Sequence, residues 1–439
     1  MINVKDKLGN SVFLNIFKVA TVTLVIKTFG FIKEMQVGKV YGLSESIDSF
    51  LIAFMLPGFF NSVFMVSFQN LFVPNYVAQI RNSSDIRGFQ TAAFLIVISL
   101  ASTLMLFSYL FTDVFLESFF QGHSKLFYIL VREQSFLILP CLFFWSLTSF
   151  LAGLLEINGK FVKASVYGVF TPIITLILLL YFDTSFNKTL LSIGLLFGSI
   201  TEFVFVIIVA LNSTLICLGK PNFRDAGIIN LYRQFPLKVI SGILSGSTGF
   251  INQFFAAQLV VGSLASLNFA LKVPAFIVSI FSIAIGNVTL PLFSRLAIEN
   301  TLELFKALNR VIYSVFFFSS FLIIGLVYFS NDIIEILFQG GKFNLDSTIV
   351  VSNLMKIFLI FIPFYINGIV LNKVFTSLNK NRFLLISSTI NLFICFILNF
   401  LLGNYFGIYG VAIATTCTSV FNYFVLIVLV RHVKFHLEP

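Results

Sequence analysis

Three lysines lie in apolar stretches where an ion is costly. Lys27 and Lys33 flank Gly30 in the run K-T-F-G-F-I-K-E-M, and Lys272 sits in N-F-A-L-K-V-P, just before Pro274. Insertion scales charge about 2.5–3.5 kcal/mol for an ion at the centre of a spanning helix. Cations kept at that cost point to a polar cavity, and a cavity of positive sign attracts anions. Glu34, seven residues beyond Lys27, stays near the same helical face and can partly neutralise either lysine. The next apolar stretch carries Asp48, Pro57 and Asn61. Glu202 lies deep in a later one and is expected to pair with a lysine of its own half, structurally or in a coupling role. Blander readings compete: Lys33 and Lys272 reaching a lipid headgroup, Lys356 at an interface rather than a cavity, and Lys18 snorkelling.

Other chemistry finds no material. The sequence has no Walker lysine motif, no metal cluster and no nucleophile constellation, and His123, His432 and His436 read as loop or tail residues. Catalysis and a resident cofactor are therefore not expected, although an ion or the membrane potential could drive a cycle. A pump of organic cations would need the opposite sign, and the second half holds no carboxylate inside an apolar run. Cys141, Cys217, Cys395 and Cys417 fall in apolar runs without metal spacing and read as small core residues.

The elements that must position these side chains are membrane helices. Of 439 residues, 58% are hydrophobic and only 10% charged, against about a quarter charged in soluble domains. Apolar runs of about 20 residues recur from end to end, each enough to cross the hydrocarbon as a helix. The spacing predicts twelve helices, near 12–38, 45–79, 87–112, 127–156, 161–182, 188–218, 231–264, 266–298, 307–330, 346–378, 382–403 and 408–434. The first is read as an uncleaved helix, because Lys18 and Lys27 interrupt it and no A-x-A site follows.

The net charge of +10 reads as a topology signal and not as a nucleic-acid surface. Lys5, Lys7, Arg81, Arg87, Lys160, Lys163, Lys220, Arg224, Arg233, Lys238, Arg295, Lys306, Arg310, Lys380, Arg382, Arg431 and Lys434 fall in alternate loops or the tails. Glu45, Asp113, Glu117, Asp183, Asp332, Glu335 and Asp346 fall in the others. Both termini are therefore expected in the cytoplasm.

A polar stretch at 219–230 (G-K-P-N-F-R-D-A-G-I-I-N) divides two halves, 1–218 and 231–439. Pro57, Asn70 and Pro74 match Pro274, Asn287 and Pro291, each pair 217 residues apart, while G-F-I at Gly30 recurs at Gly249, 219 residues on. Pro140 and Leu155 match Pro363 and Leu378 at a separation of 223. Six helices per half give the repeats one orientation, so the expected fold is an all-α polytopic membrane protein of two six-helix lobes about a pseudo-two-fold along the membrane normal. Substrate sites in such proteins lie between the halves, with Gly30, Pro57 and Pro274 as bends.

These residues resemble the MurJ/MviN lipid II flippases of the multidrug/oligosaccharidyl-lipid/polysaccharide exporter superfamily. In that family the first helix has an Arg before x-x-Gly and another in G-F-x-R-D; here stand Lys27 and Lys33–Glu34. The T-D-A-F-x-x-A-F-x-L-P run is similar to I-D-S-F-L-I-A-F-M-L-P, placing Asp48 and Pro57, and A-F-V-P is met by L-F-V-P at Pro74. A-D-R-L resembles A-L-K-V with Lys272 on its arginine. L-F-x-x-G-x-F matches L-F-Q-G-G-K-F from Leu337, and L-N-x-R-G-R-F matches L-E-I-N-G-K-F from Leu155. Three departures stand out: lysines replace the arginines, losing bidentate phosphate geometry; a further family arginine falls on Asn61; and the chain stops at Pro439 where family members usually add two helices.

By that resemblance, an alternating-access flippase moves an undecaprenyl-pyrophosphate-linked saccharide, lipid II or a polysaccharide repeat unit, to the outer leaflet of the bacterial inner membrane. Lys27, Lys33 and Lys272 would bind the pyrophosphate, while Glu34, Asp48, Asn61 and Glu202 tune or gate. Membrane lipids, and glycosyltransferases or polymerases of the same pathway, are the expected partners of a monomer. A cation-coupled multidrug antiporter and a non-transporting envelope-assembly scaffold are the alternatives.

Overall fold

Apolar side chains on every face of a long segment leave a helix only two settings, lipid or the middle of a helical bundle. Both occur. The computed structural model describes the backbone of residues 2–81, 85–120, 123–182 and 188–435, with side chains from Lys18 onward except that of Asn287. Among the described residues there is no strand. The structure is a succession of long helices: Ile2–Tyr41, Glu45–Arg81, Ile86–Phe119, Lys125–Ile157, Lys163–Tyr181, Leu190–Asn212, Ala226–Ala257, Ser263–Glu299, Thr301–Tyr328, Leu345–Ser377, and the pair 382–406 and 408–435. All twelve expected helices are present. Among the described residues nine stretches are long and apolar enough to cross a bilayer, counting the last pair together; this is a multi-pass membrane protein.

Several boundaries move. The first helix starts at Ile2, so Lys5 and Lys7 are helical, their side chains lying outside the described ones, as do Asp183 and His436 altogether. The sixth helix stops at Asn212 rather than near 218, and the next begins at Ala226, inside the stretch read as a linker. Asp225 explains that early start: its carboxylate accepts the Gly227 N–H at 2.7 Å, satisfying a donor the first helical turn leaves open. Between them, 213–225 is tied to Ile86–Phe119 by Gln90 donating to the Leu215 carbonyl and accepting from Cys217 N–H, by Gly219 N–H on Thr91, and by Asn222 N–H on the Gly88 carbonyl. One short helix, Ser330–Phe338, was not anticipated. His432 belongs to the last helix, which runs to Phe435.

The chain forms two compact units, one of residues 1–40 and 45–243, the other of 41–44 and 244–439. The division falls within the Ala226–Ala257 helix. In the first unit Lys125–Ile157 is central, burying Phe127, Ile138, Leu142, Leu151 and Leu155. An aromatic core of Phe68, Phe72, Phe89 and Phe150 joins it to its neighbours. Leu345–Ser377 has the same role in the second unit, where Val351, Leu354, Phe358, Ile362, Ile366 and Val370 are all fully buried.

The two central helices end alike. Lys160 N–H bonds the Leu155 carbonyl across Gly159 (φ 72°), and Lys380 N–H bonds the Phe375 carbonyl across Asn379 (φ 55°). This is a left-handed C-terminal cap, accessible to glycine and, at some cost, to asparagine. The caps correspond at a separation of 220, three less than the register read from Pro140 and Pro363.

Candidate functional site

Within the first unit, Ile2–Tyr41 presents Lys27, Gly30, Lys33 and Glu34. Lys27 is exposed from its protein surroundings and forms no ion pair with a described residue. Its neighbour Ile26 rests on Gly168 of the adjacent helix segment, 3.7 Å from where a Cβ would stand. Lys33 is half-buried, with its ammonium 2.6 Å from a carboxylate oxygen of Glu34. Adjacent helical residues do not face each other, so the long lysine stem folds back to reach the shorter acid. Glu34 thereby compensates Lys33, the nearer of the two lysines. Lys18 is exposed, in keeping with a snorkelling role.

Gly30 does not break its helix, and its missing side chain faces open space. Pro274, buried inside Ser263–Glu299, does not break its helix either. A glycine permits a bend and a proline removes one N–H, but packing on both sides decides whether a helix departs from regularity. In Glu45–Arg81 the departure comes one turn after buried Pro57, as a π turn over Asn61–Met65 closed by Val66 N–H on the Asn61 carbonyl. Asn61, where the sequence lacks the expected arginine, thus opens the widened turn. Gly242 lets this region approach Ala226–Ala257: a Cβ there would stand 3.2 Å from the Val63 carbonyl oxygen, and Ser67 donates to the Lys238 carbonyl at 3.3 Å. Widened turns of this kind are frequent at functional sites.

Asp48 is buried, 5% exposed, in the first turn of Glu45–Arg81, where the helix dipole favours negative charge. Beside it stands a polar bridge that sequence reading passed over. Gln134 donates to Ser49 Oγ at 2.7 Å and accepts from Ser192 Oγ at 3.1 Å, linking three helices. A glutamine inside an apolar helix was the available signal, since buried amides in membrane helices are retained for their partners.

Glu202 departs from expectation. It is 7% exposed and accepts the Thr171 hydroxyl at 2.7 Å, with no described lysine as partner. The cause is local packing. Gly194 and Gly198, two turns and one turn before Glu202, let Leu190–Asn212 press against Thr175 and Thr171; a Cβ on Gly198 would stand 2.6 Å from Thr171 Cα. Small residues four apart permit such close helix approach in membranes, and the approaching segment supplies hydroxyls rather than cations.

In the second unit, Lys272 is half-buried three residues after Phe269, whose ring packs on Phe338 and Phe343. Lys356 is half-buried and donates to Asn353 Oδ1 at 3.2 Å. A buried amide cluster, also passed over, joins Asn399 Nδ2 to Asn252 Oδ1 at 2.8 Å. Cys395 and Cys141 are buried, as core residues should be, and Cys217 and Cys417 half-buried. Among the described residues no group of His, Cys, Asp and Glu is arranged to hold a metal ion.

Comparison with known proteins follows the same outline. The family model described as "Lipid II flippase MurJ" matches residues 37–438. A probable lipid II flippase MurJ of Buchnera aphidicola subsp. Baizongia pistaciae is 22% identical over 95% of this chain and 83% of that protein. The lipid II flippase MurJ of Thermosipho africanus is 24% identical over 95% of this chain and 85% of its own length. In fold, the chain is similar to a lipid II flippase MurJ in an inward closed conformation, with a TM-score of 0.82 at 21% identity over 94% and 87% of the two chains. It is also similar to an inward-facing multidrug resistance MATE family transporter of the MOP superfamily, with a TM-score of 0.74 at 14% identity over 94% and 97%. With the family model covering all but the first 36 residues and the final one, the chain belongs to the MurJ lipid II flippase family.

Proposed function

We propose that this protein moves lipid II, or a closely related undecaprenyl-pyrophosphate-linked saccharide, from the inner to the outer leaflet of the bacterial cytoplasmic membrane by alternating access, with both termini in the cytoplasm. The observation that carries the reading is Lys27, a cation in the interior of a long helix with no ion-pair partner among the described residues, in a family whose named relatives are lipid II flippases. Lys27, Lys33 and Lys272 are proposed to engage the pyrophosphate as point charges. Glu34 tempers Lys33, Asp48 and Glu202 set local polarity, and the widened turn at Asn61 gives Glu45–Arg81 its adjustable segment.

The antiporter reading is weaker. Likeness to the MATE transporter is one of fold, and the second half carries no carboxylate inside an apolar run.

Complementation of a strain depleted of its lipid II flippase tests the proposal. Lys27→Ala and Lys272→Ala should each fail at wild-type membrane abundance, and Lys→Arg at either position should rescue. Normal growth with both alanine variants would overturn the reading.

A further inference from the structure

Within the first unit, the helices Glu45–Arg81, Ile86–Phe119 and Ala226–Ala257 bound an open groove of about 600 Å³, lined among others by Phe68, Leu95, Leu100, Phe223, Tyr232 and Phe235. That volume lies within the range of about 300–1,000 Å³ typical of small-molecule sites. Its wall asks for hydrocarbon. Thr103, one of its few polar residues, donates its hydroxyl to the Ser99 carbonyl at 2.8 Å inside its own helix, so a polar ligand would find little to bond.

One end of the groove has a different character. Exposed Phe223 and Tyr232 stand there, and each is followed in the chain by an exposed arginine, Arg224 and Arg233. Arg87 lies against the same connection: its Cβ is 2.9 Å from where a side chain on Gly219 would begin, with Lys220 next, and Asn222, the residue before Phe223, bonds the carbonyl of the following Gly88. The acids in this neighbourhood are already engaged. Asp85 accepts Gly88 N–H at 2.9 Å, and Asp225 accepts Gln79 Nε2 at 2.6 Å and Gly227 N–H at 2.7 Å. Arg87, Lys220, Arg224 and Arg233 make no ion pair with a described residue.

An apolar trough that ends in amphipathic aromatic rings and in a cluster of cations with no ion pair to a described residue matches an amphiphile with an anionic head. We infer that the groove seats an acyl chain of an anionic phospholipid whose phosphate lies among Arg87, Arg224 and Arg233. Basic sites between membrane helices hold such headgroups, and aromatic rings favour the depth where headgroup meets chain. The lipid would brace the 213–225 connection, which hydrogen-bonds to the same helix that forms the groove wall. The lysines assigned to substrate take no part in this groove.

Binding of phosphatidylglycerol and of phosphatidylcholine with identical chains, measured on the full-length protein in detergent by native mass spectrometry, tests it. Wild type should prefer phosphatidylglycerol. Changing Arg87, Arg224 and Arg233 together to Gln should weaken that lipid by roughly a hundredfold and phosphatidylcholine, whose choline cation offsets the same phosphate, far less, so that the preference is lost. Ser99→Trp, which fills the trough from an exposed position, should weaken phosphatidylglycerol while the lipid-free melting temperature stays put. Equal affinity of wild type for the two lipids, or undiminished preference in the triple variant, would overturn the assignment. So would a site that takes undecaprenyl phosphate but not phosphatidylglycerol, which would make it a seat for the carrier lipid.

Discussion

Thr171 donates its hydroxyl to the carboxylate of Glu202 at 2.7 Å, across a helix crossing close enough that Gly198 has no room for a methyl group. An acid that would otherwise need a cation is instead held by a neutral donor, and that donor exists because two glycines draw the helices together.

Removing the donor should therefore show in stability. Thr171→Val keeps the shape of the side chain and removes the acid's hydroxyl donor, at a cost of about 1–3 kcal/mol. Glu202→Gln retains an acceptor for the hydroxyl and should unfold within about 1 kcal/mol of wild type. Thermal unfolding in detergent separates the two; equal melting temperatures for Thr171→Val and wild type would show that the bond has no structural weight.

Gly198→Ala tests the crossing itself. The added Cβ would stand 2.6 Å from the Thr171 Cα, and backbone cannot rotate aside. Overpacking of this kind costs about 1–3 kcal/mol. Gly325→Ala, where no atom lies within 4 Å, is the control, and should be neutral or stabilising by up to about 1 kcal/mol because alanine is the better helix former. Melting temperatures that fail to separate the two would argue against the close approach.

Gly42 supplies a stricter case. Its φ is 58°, and a Cβ would meet the Lys342 carbonyl oxygen at 2.5 Å. Left-handed backbone costs a non-glycine residue about 1–2 kcal/mol before any contact is counted, and the contact is with backbone. Gly42→Ala should lower the yield of folded protein by size-exclusion chromatography more than Gly198→Ala does.

Function should be less sensitive at Lys33 than at Lys27. Lys33 is already compensated by Glu34 at 2.6 Å, whereas Lys27 stands without an ion-pair partner among the described residues. Graded complementation should show a larger loss for Lys27→Ala than for Lys33→Ala. Glu34→Gln, which frees the Lys33 charge, should keep growth near wild type. The reverse order of the two lysines would make Lys33 the principal ligand.

In the second unit, Asn399→Leu would leave Asn252 Oδ1 without the amide that now bonds it at 2.8 Å. Left with only the weak Cys395 thiol donor at 3.4 Å, a buried acceptor that loses its amide costs about 1–3 kcal/mol. Asn399→Gln, one methylene longer, should recover part of the loss in a thermal melt, and equal stability of all three proteins would count against the cluster.

The twelve helices could be read from sequence because in a bilayer backbone polar groups must bond within the segment, and apolar length reports that demand directly. Lys27, Lys33 and Lys272 were visible for the same reason, since charges stand out against an apolar run. Tertiary structure decided what the one-dimensional pattern does not encode: which neighbour satisfies a buried group. Glu202 took a threonine because Gly194 and Gly198 set the distance between two helices. Lys33 closed on Glu34, and the irregularity expected of Pro57 appeared at Asn61. Gln134 and Asn399 escaped notice because an amide carries no charge to mark it, and its importance lies in partners 58 to 147 residues away along the chain. Composition and period fixed the segments; packing, through the few positions where side chains are small enough to admit a neighbour, fixed the contacts.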